Sequence, residues 1–241
     1  MEGLKINNVS FSYGPKQILK DINLSVEKGE TVSIIGESGV GKTTLFNIIA
    51  GLLQPAQGDV VLGETLITMN PGKVSYMLQK DLLLPHKTTL DNLSLPLRLR
   101  GVKKDIAYQE VEKYLDIFGL DNTQKQYPKQ LSGGMRQRAA LLRTYLFGNE
   151  AMLLDLDPLT KTKMHQWYLD VMKQIHTTVL LITHDIDEAI YLSDKIYVLK
   201  GSPATLSEPI MVNFKKDSVQ KLAVSEDFLR IKQEIFNQLN K

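Results

Sequence analysis

The sequence predicts an α/β fold, and three stretches carry that prediction. Thr31-Val32-Ser33-Ile34-Ile35 is a β-branched, apolar run that reads as a buried strand, and it leads into a glycine-rich loop. Ala151-Met152-Leu153-Leu154-Asp155 is a second apolar run, ending in an acid, and residues 177–183 form a third. Helical patterns separate these runs. Buried strands alternating with helices are the mark of an α/β sheet.

The loop after the first run is Gly36-Glu37-Ser38-Gly39-Val40-Gly41-Lys42-Thr43-Thr44. It fits the pattern G-x-x-x-x-G-K-[ST]. Leu45-Phe46-Asn47-Ile48-Ile49-Ala50 follows as a helix, so the motif lies between a strand end and a helix start. Glycines let the backbone turn tightly and aim its N–H groups at phosphate oxygens. The helix N-terminus adds partial positive charge. Lys42 reaches the β- and γ-phosphates in such a loop, and the Thr43 hydroxyl ligates Mg²⁺.

The remaining elements follow in order. Residues 4–13 and 18–26 read as two strands around a turn at Gly14-Pro15. Tyr13 closes the first; an aromatic there either stacks on adenine or packs at the surface. Residues 59–68 read as a hairpin and 73–78 as a strand ending at Gln79. A polar side chain at the carboxyl end of such a strand faces the ligand crevice of an α/β sheet. Residues 89–119 are helical in pattern, broken near Gly101, with Asp105 as N-cap and Val111, Leu115 and Phe118 at helical spacing. The leucines at 82–84, 90, 93, 95, 97 and 99 are too many for one buried helix face and suggest a partner groove.

Leu131-Ser132-Gly133-Gly134-Met135-Arg136-Gln137-Arg138 opens a helix running to about Gly148, with Ser132 as N-cap and a second potential anion site. Asp155 at its strand end is placed to hold Mg²⁺ through water. Residues 160–176 read as a helix in which Trp167 packs. The strand 177–183 ends at His184-Asp185. A short helix at 186–192, a strand at 194–199, a hairpin at 202–214 and an amphipathic helix at 218–239 complete the chain.

Composition narrows the function. With 43% hydrophobic and 23% charged residues, the 241-residue chain has an ordinary globular profile. A net charge of +2 is too mild to argue for nucleic acid. There is no cysteine, hence no disulfide and no thiolate chemistry. No basic segment followed by an apolar run opens the chain, and no window has the ~18 apolar residues of a membrane span. Work at a membrane then requires partners.

The loop at 36–44, Gln79, residues 131–138, Asp155 and His184 stand in the order and approximate spacing of the ATP-binding subunit of ABC transporters. The sequence resembles that family over essentially its whole length, and the L-S-G-G-x-x-x-R signature is the discriminating part. Residues 77–88, Met-Leu-Gln-Lys-Asp-Leu-Leu-Leu-Pro-His-Lys-Thr, look like its nitrate/sulfonate/taurine importer branch, which includes relatives for thiamine-precursor pyrimidines. The resemblance implies a P-loop NTPase cassette with a RecA-like core, an antiparallel β-subdomain and an inserted α-helical subdomain near 85–148. It implies adenine stacking on Tyr13, phosphates on Gly36, Glu37, Ser38, Gly39, Val40, Gly41, Lys42, Thr43 and Thr44, and Mg²⁺ served by Thr43, Gln79 and Asp155. Ser132, Gly133 and Gly134 would contact the γ-phosphate bound by the other subunit of a dimer, and His184 the γ-phosphate and attacking water. Partners implied are a second copy or second cassette, a membrane permease docked on residues 82–99, and, indirectly, an extracytoplasmic solute-binding protein. The place of action would be the cytoplasmic face of the membrane.

One stretch departs from the family. Where the pattern is D-E-P-x-x-A-L-D, Asp155 is followed by Leu156-Asp157-Pro158-Leu159-Thr160-Lys161. The acid that serves as general base for water is absent. In one alignment E-P-x-x-A is missing and Leu156-Asp157 is the family's L-D. In the other, Asp157-Pro158 is a displaced Glu-Pro. The continuation after Leu156 favours the first; the loop around Asp157, which crosses the dimer interface in the family, is then too short to lie where it normally would. Nucleotide binding is then retained while hydrolysis is slowed.

Overall fold

The computed structural model describes residues 3–155, 162–214 and 225–239. Its framework is one eleven-stranded sheet with two characters. Four strands form the antiparallel end: β1 (Leu4–Tyr13), β2 (Lys16–Val26), β4 (Gln57–Leu62) and β5 (Thr65–Leu66), in spatial order β5-β4-β1-β2. The other end is parallel. There β3 (Thr31–Ile35) lies between β9 (Lys195–Gly201) and β8 (Thr178–Thr183), followed outward by β7 (Ala151–Asp155) and β6 (Ser75–Met77). β10 (Ala204–Leu206) joins the two ends, pairing antiparallel with β9 and parallel with β2.

The parallel strands are mostly apolar and buried because both of their faces are covered. Side chains alternate between two cores. Val32 and Ile34 of β3, Leu153 of β7, and Leu180 and Ile182 of β8 face one core. That core is filled by Leu45, Phe46, Ile48 and Ile49 of α1 (Lys42–Ile49) and by the antiparallel strands. Ile35, Met152, Leu154, Val179 and Leu181 face the second core. Helices cover it: α2 (Thr89–Leu99), α3 (Lys104–Glu112), α4 (Gly133–Tyr145), α5 (Thr162–Ile175), α6 (Ile186–Leu192) and α7 (Glu226–Leu239). The four apolar side chains of α1 are each essentially inaccessible. At roughly 1.5–3 kcal/mol per buried side chain, they anchor the helix that follows the glycine-rich loop.

Three local expectations are corrected. α3 is N-capped at Lys103, with Asp105 in its first turn. Asp105 therefore complements the helix dipole rather than capping it. The helix also stops at Glu112; Val111, Leu115 and Phe118 are all buried, but the chain delivers the last two through tight turns such as Tyr114 N–H to the Val111 carbonyl. Third, residues 202–214 are not a hairpin: β10 and β11 (Ile210–Met211) each pair antiparallel with β9, not with one another. The C-terminal helix is described from Glu226, and the expected residues before Ser225 lie outside the described segments.

Candidate active site

Parallel pairing sets the site. Ile35 pairs with Thr183, Asp155 with Ile182, and Met77 with Leu154. The carboxyl ends of β3, β8, β7 and β6 therefore lie side by side, in that order. The loop at 36–44, His184, Asp155 and Gln79 leave the sheet along one edge, where open α/β sheets bind ligands.

The loop is built by its glycines. A Cβ on Gly36 would lie 2.4 Å from the Leu199 carbonyl oxygen, so only glycine lets the loop leave β3 beside β9. Gly41 holds φ +121°, a conformation open to glycine, and a side chain there would press on Ile18 and Leu19. Gly41 is also the N-cap of α1 and offers no side-chain acceptor. The N–H groups of that first turn are thus uncapped by a side chain, which is the condition for binding an anion. Lys42 Nζ donates to the carbonyls of Gly36 and Glu37, both at 2.8 Å. Burial holds the Lys42 ammonium below its ordinary pKa, partly offset by the nearby Asp155 carboxylate. Burial, and then Asp155, push the Tyr76 phenol up to about 12. Asp155 is therefore electrostatically in reach of the loop lysine.

A cavity of about 620 Å³ opens against this loop. It is lined by Glu37–Val40, by Lys16–Ile18 at the start of β2 and by Leu199–Ser202 at the end of β9. Tyr13 does not line it. The ring lies across the hairpin, paired with Lys16, 52% exposed and edge-on to Phe11 at 4.7 Å. Ser132, Gly133 and Gly134 do not line it either. Ser132 caps α4 by accepting the Met135 N–H at 3.2 Å, and Ser132 and Gly133 are exposed. Asp157 lies outside the described residues.

The Ser132 cap gives a direct test of local structure. Replacing an N-cap serine by alanine costs ~1 kcal/mol. Ser132→Ala is expected to lower stability by about that amount in urea unfolding, while Ser132→Thr, which keeps the acceptor, stays near the parent.

A clasp that sequence reasoning missed connects two of these pieces. Arg136 Nε donates to Asp81 Oδ2 at 3.1 Å, and Arg143 donates to the carbonyls of Asp81 and Leu82 at 2.6 and 2.8 Å. The loop after Gln79 is thereby fastened to α4, the helix that Ser132 opens. The signal in the sequence is faint: two arginines on one face of a helix, and an acid more than fifty residues away.

Comparison with known proteins agrees with this geometry. Residues 19–159 match the family model for ABC transporters. The chain is similar to the formylaminopyrimidine import ATP-binding protein ThiZ of Halalkalibacterium halodurans, at 42% identity over 84% of this chain and 81% of that protein. It is similar to the aliphatic sulfonates import ATP-binding protein SsuB of Bacillus thuringiensis, at 34% identity over 98% and 95%. Among solved structures it resembles the dimeric bacterial ABC transporter cassette MJ0796, with a TM-score of 0.73 at 28% identity over 88% of this chain and all of that one. With the family model spanning more than half its length, the chain belongs to the ABC transporter family, as an ATP-binding subunit with the fold of an ABC-type ATPase.

Proposed function

We propose that this subunit binds Mg-ATP between two cassettes and uses it to power import of a small solute through a separate permease. The observation that carries the reading is the separation within one chain: Glu37–Val40 of the loop line the cavity, and the helix start at Ser132-Gly133-Gly134, with Ser132 and Gly133 exposed, does not. A second copy, or a second cassette, supplies the missing helix start. The dimeric solved relative supports this arrangement. The names of ThiZ and SsuB support import of a small polar organic solute. An extracytoplasmic solute-binding protein would then deliver the solute, with this subunit at the cytoplasmic face. Among the described residues no helix is long and apolar enough to cross a membrane.

The site residues take these roles. The backbone of residues 36–44 and the Lys42 ammonium hold the phosphates, exchanging the loop carbonyls for phosphate oxygens. Tyr13 offers its exposed ring to adenine. The hydroxyl of Thr43, the amide oxygen of Gln79 and the carboxylate of Asp155 are hard oxygen donors of the kind Mg²⁺ accepts. When bound, the ion neutralises charge on the β- and γ-phosphates. Magnesium is held by few protein ligands plus substrate and water, which suits one carboxylate beside a hydroxyl and an amide. His184 leaves the end of β8 beside the loop and meets the γ-phosphate. Leu82 and Leu99, 53% and 72% exposed, and the groove lined by Leu84, Leu95 and Val102 form the permease-facing surface.

A second reading is favoured by one observation: Leu156, not an acid, follows Asp155. In that reading binding is intact and turnover is slow.

Light scattering at fixed protein concentration tests the proposal. The chain is expected to be monomeric with ADP and dimeric with ATP and Mg²⁺. A chain that stays monomeric at saturating ATP, while binding it, overturns shared-site closure by this chain alone and points to a second cassette.

A further inference from the structure

The turn that carries His184 is clamped on both flanks by a carboxylate buried in the core. Glu188 is 0% exposed. Its Oε2 accepts the Thr183 hydroxyl at 2.5 Å, and the Thr183 oxygen accepts the Asp185 N–H at 3.0 Å. Asp185 caps α6, accepting the Glu188 N–H at 3.0 Å. The ring of hydrogen bonds encloses one exposed side chain, His184.

An ordinary helix start would not need this arrangement. Asp185-x-x-Glu188 has the spacing of a capping box, in which the N3 glutamate accepts the N–H of the N-cap residue itself. Here the Thr183 hydroxyl stands between them, so the glutamate also grips the residue before His184. Burying a carboxylate costs several kcal/mol unless it is well paired. On its other side lies His165, whose Nε2 is 3.8 Å from Glu188 Oε1, too far for a hydrogen bond. His165 is buried on α5 and packs on Tyr191, which stacks on Phe228 of α7. The fully buried Tyr168 senses the same charge: burial, then Glu188 and Asp194, raise its phenol well above the ordinary range.

We infer that Glu188, acting through the Thr183 hydroxyl, is a positioning residue that aims His184 at the γ-phosphate. With the Thr183 side chain and the Asp185 N–H both fixed, the backbone on either side of His184 is held at the end of a strand paired with β3, next to the phosphate loop. The inference rests on the proposed role of His184 and goes beyond it.

The test compares affinity for a non-hydrolysable ATP analogue with affinity for ADP, both with Mg²⁺, in the full chain. This ratio reads γ-phosphate recognition and needs no turnover. His184→Ala sets the scale and is expected to lower the ratio. Thr183→Val is isosteric and removes only the hydroxyl; it is expected to lower the ratio about 3- to 10-fold, the worth of one hydrogen bond, with ADP affinity unchanged. Thr183→Ser restores it. Thr183→Val combined with His184→Ala falls no further than His184→Ala alone. Glu188→Gln, which keeps the shape and loses the charge, moves the ratio in the same direction and serves if Thr183→Val folds poorly. A normal ratio in Thr183→Val beside a lowered one in His184→Ala overturns the inference. So does an equal loss of ADP and analogue binding, which marks a merely structural role, and so does full additivity in the double variant. A normal ratio in His184→Ala overturns the role given to His184 itself.

Discussion

Lys42→Ala is expected to weaken ATP binding roughly 10- to 150-fold, the equivalent of the ~1.5–3 kcal/mol carried by hydrogen bonds to charged groups. The structure explains why the loss should be confined to binding. Lys42 is on the first turn of α1, whose buried face is made by Leu45, Phe46, Ile48 and Ile49, so the helix keeps its anchor without the lysine. Gly36 and Glu37 lose a donor to their carbonyls, but Glu37 is exposed and water reaches that edge of the loop. Thermal unfolding should therefore move little while a fluorescent ATP analogue loses affinity. The lysine also gives the binding curve a pH signature. Phosphate needs the charged ammonium, and burial has lowered its pKa below that of an ordinary lysine. As pH rises, affinity should fall from a lower pH than 10.5 in the parent and stay flat over the same range in Lys42→Ala. Undiminished affinity in Lys42→Ala would mean that the nucleotide does not sit on this loop.

The strand ends that build this edge were legible because two signals coincide there. Thr31–Ile35, Ala151–Asp155 and Thr178–Thr183 are continuous apolar runs, and each is followed at once by chemistry-bearing residues. A strand buried on both faces leaves no other pattern, so its end is sharp. The errors fall where local pattern cannot name a partner. Residues 202–214 have the turns of a hairpin, yet both short strands return to β9, because its edge offers more pairing than they offer each other. Val111, Leu115 and Phe118 keep helical spacing, but successive tight turns bury them equally well once α3 has ended. The surplus of leucines in 82–99 divides between core and surface: Leu83 and Leu93 are core, and Leu82 and Leu99 are exposed. The Asp81 clasp and the Glu188–His165 pair were invisible for a plain reason. Each brings together residues from separate elements, and nothing in the local pattern of either stretch names its partner in the other.

Inserting Glu-Pro-Ala-Ser-Ala between Asp155 and Leu156 is expected to raise the single-turnover rate of ATP hydrolysis about 10²- to 10⁴-fold, the usual contribution of a positioned general base. The argument is one of division of labour along the sheet edge. In the proposed function the loop at 36–44 and Asp155 address phosphates and Mg²⁺, and neither takes a proton from water. His184 leaves β8 next to the loop, and its turn is held from behind by Thr183 and Glu188; in the proposed function it meets the γ-phosphate. The family's pattern places an acid directly after the Mg²⁺ carboxylate, and Leu156, which stands there in this sequence, cannot act as a base. The parent should consequently bind ATP with ordinary affinity, turn it over slowly and keep its closed dimer longer than the insertion variant does. The same insertion carrying Gln in place of Glu restores the loop length without the base. It should regain the interface path of Asp157 and not the rate, which separates a lost base from a shortened loop. A parent rate already typical of transport ATPases would refute the loss of the base, and an intact mass exceeding 27.2 kDa by the inserted stretch would show that the chain carries it after all. If the rate rises equally with Glu and Gln, the shortened loop, not the missing carboxylate, is what slows the chain.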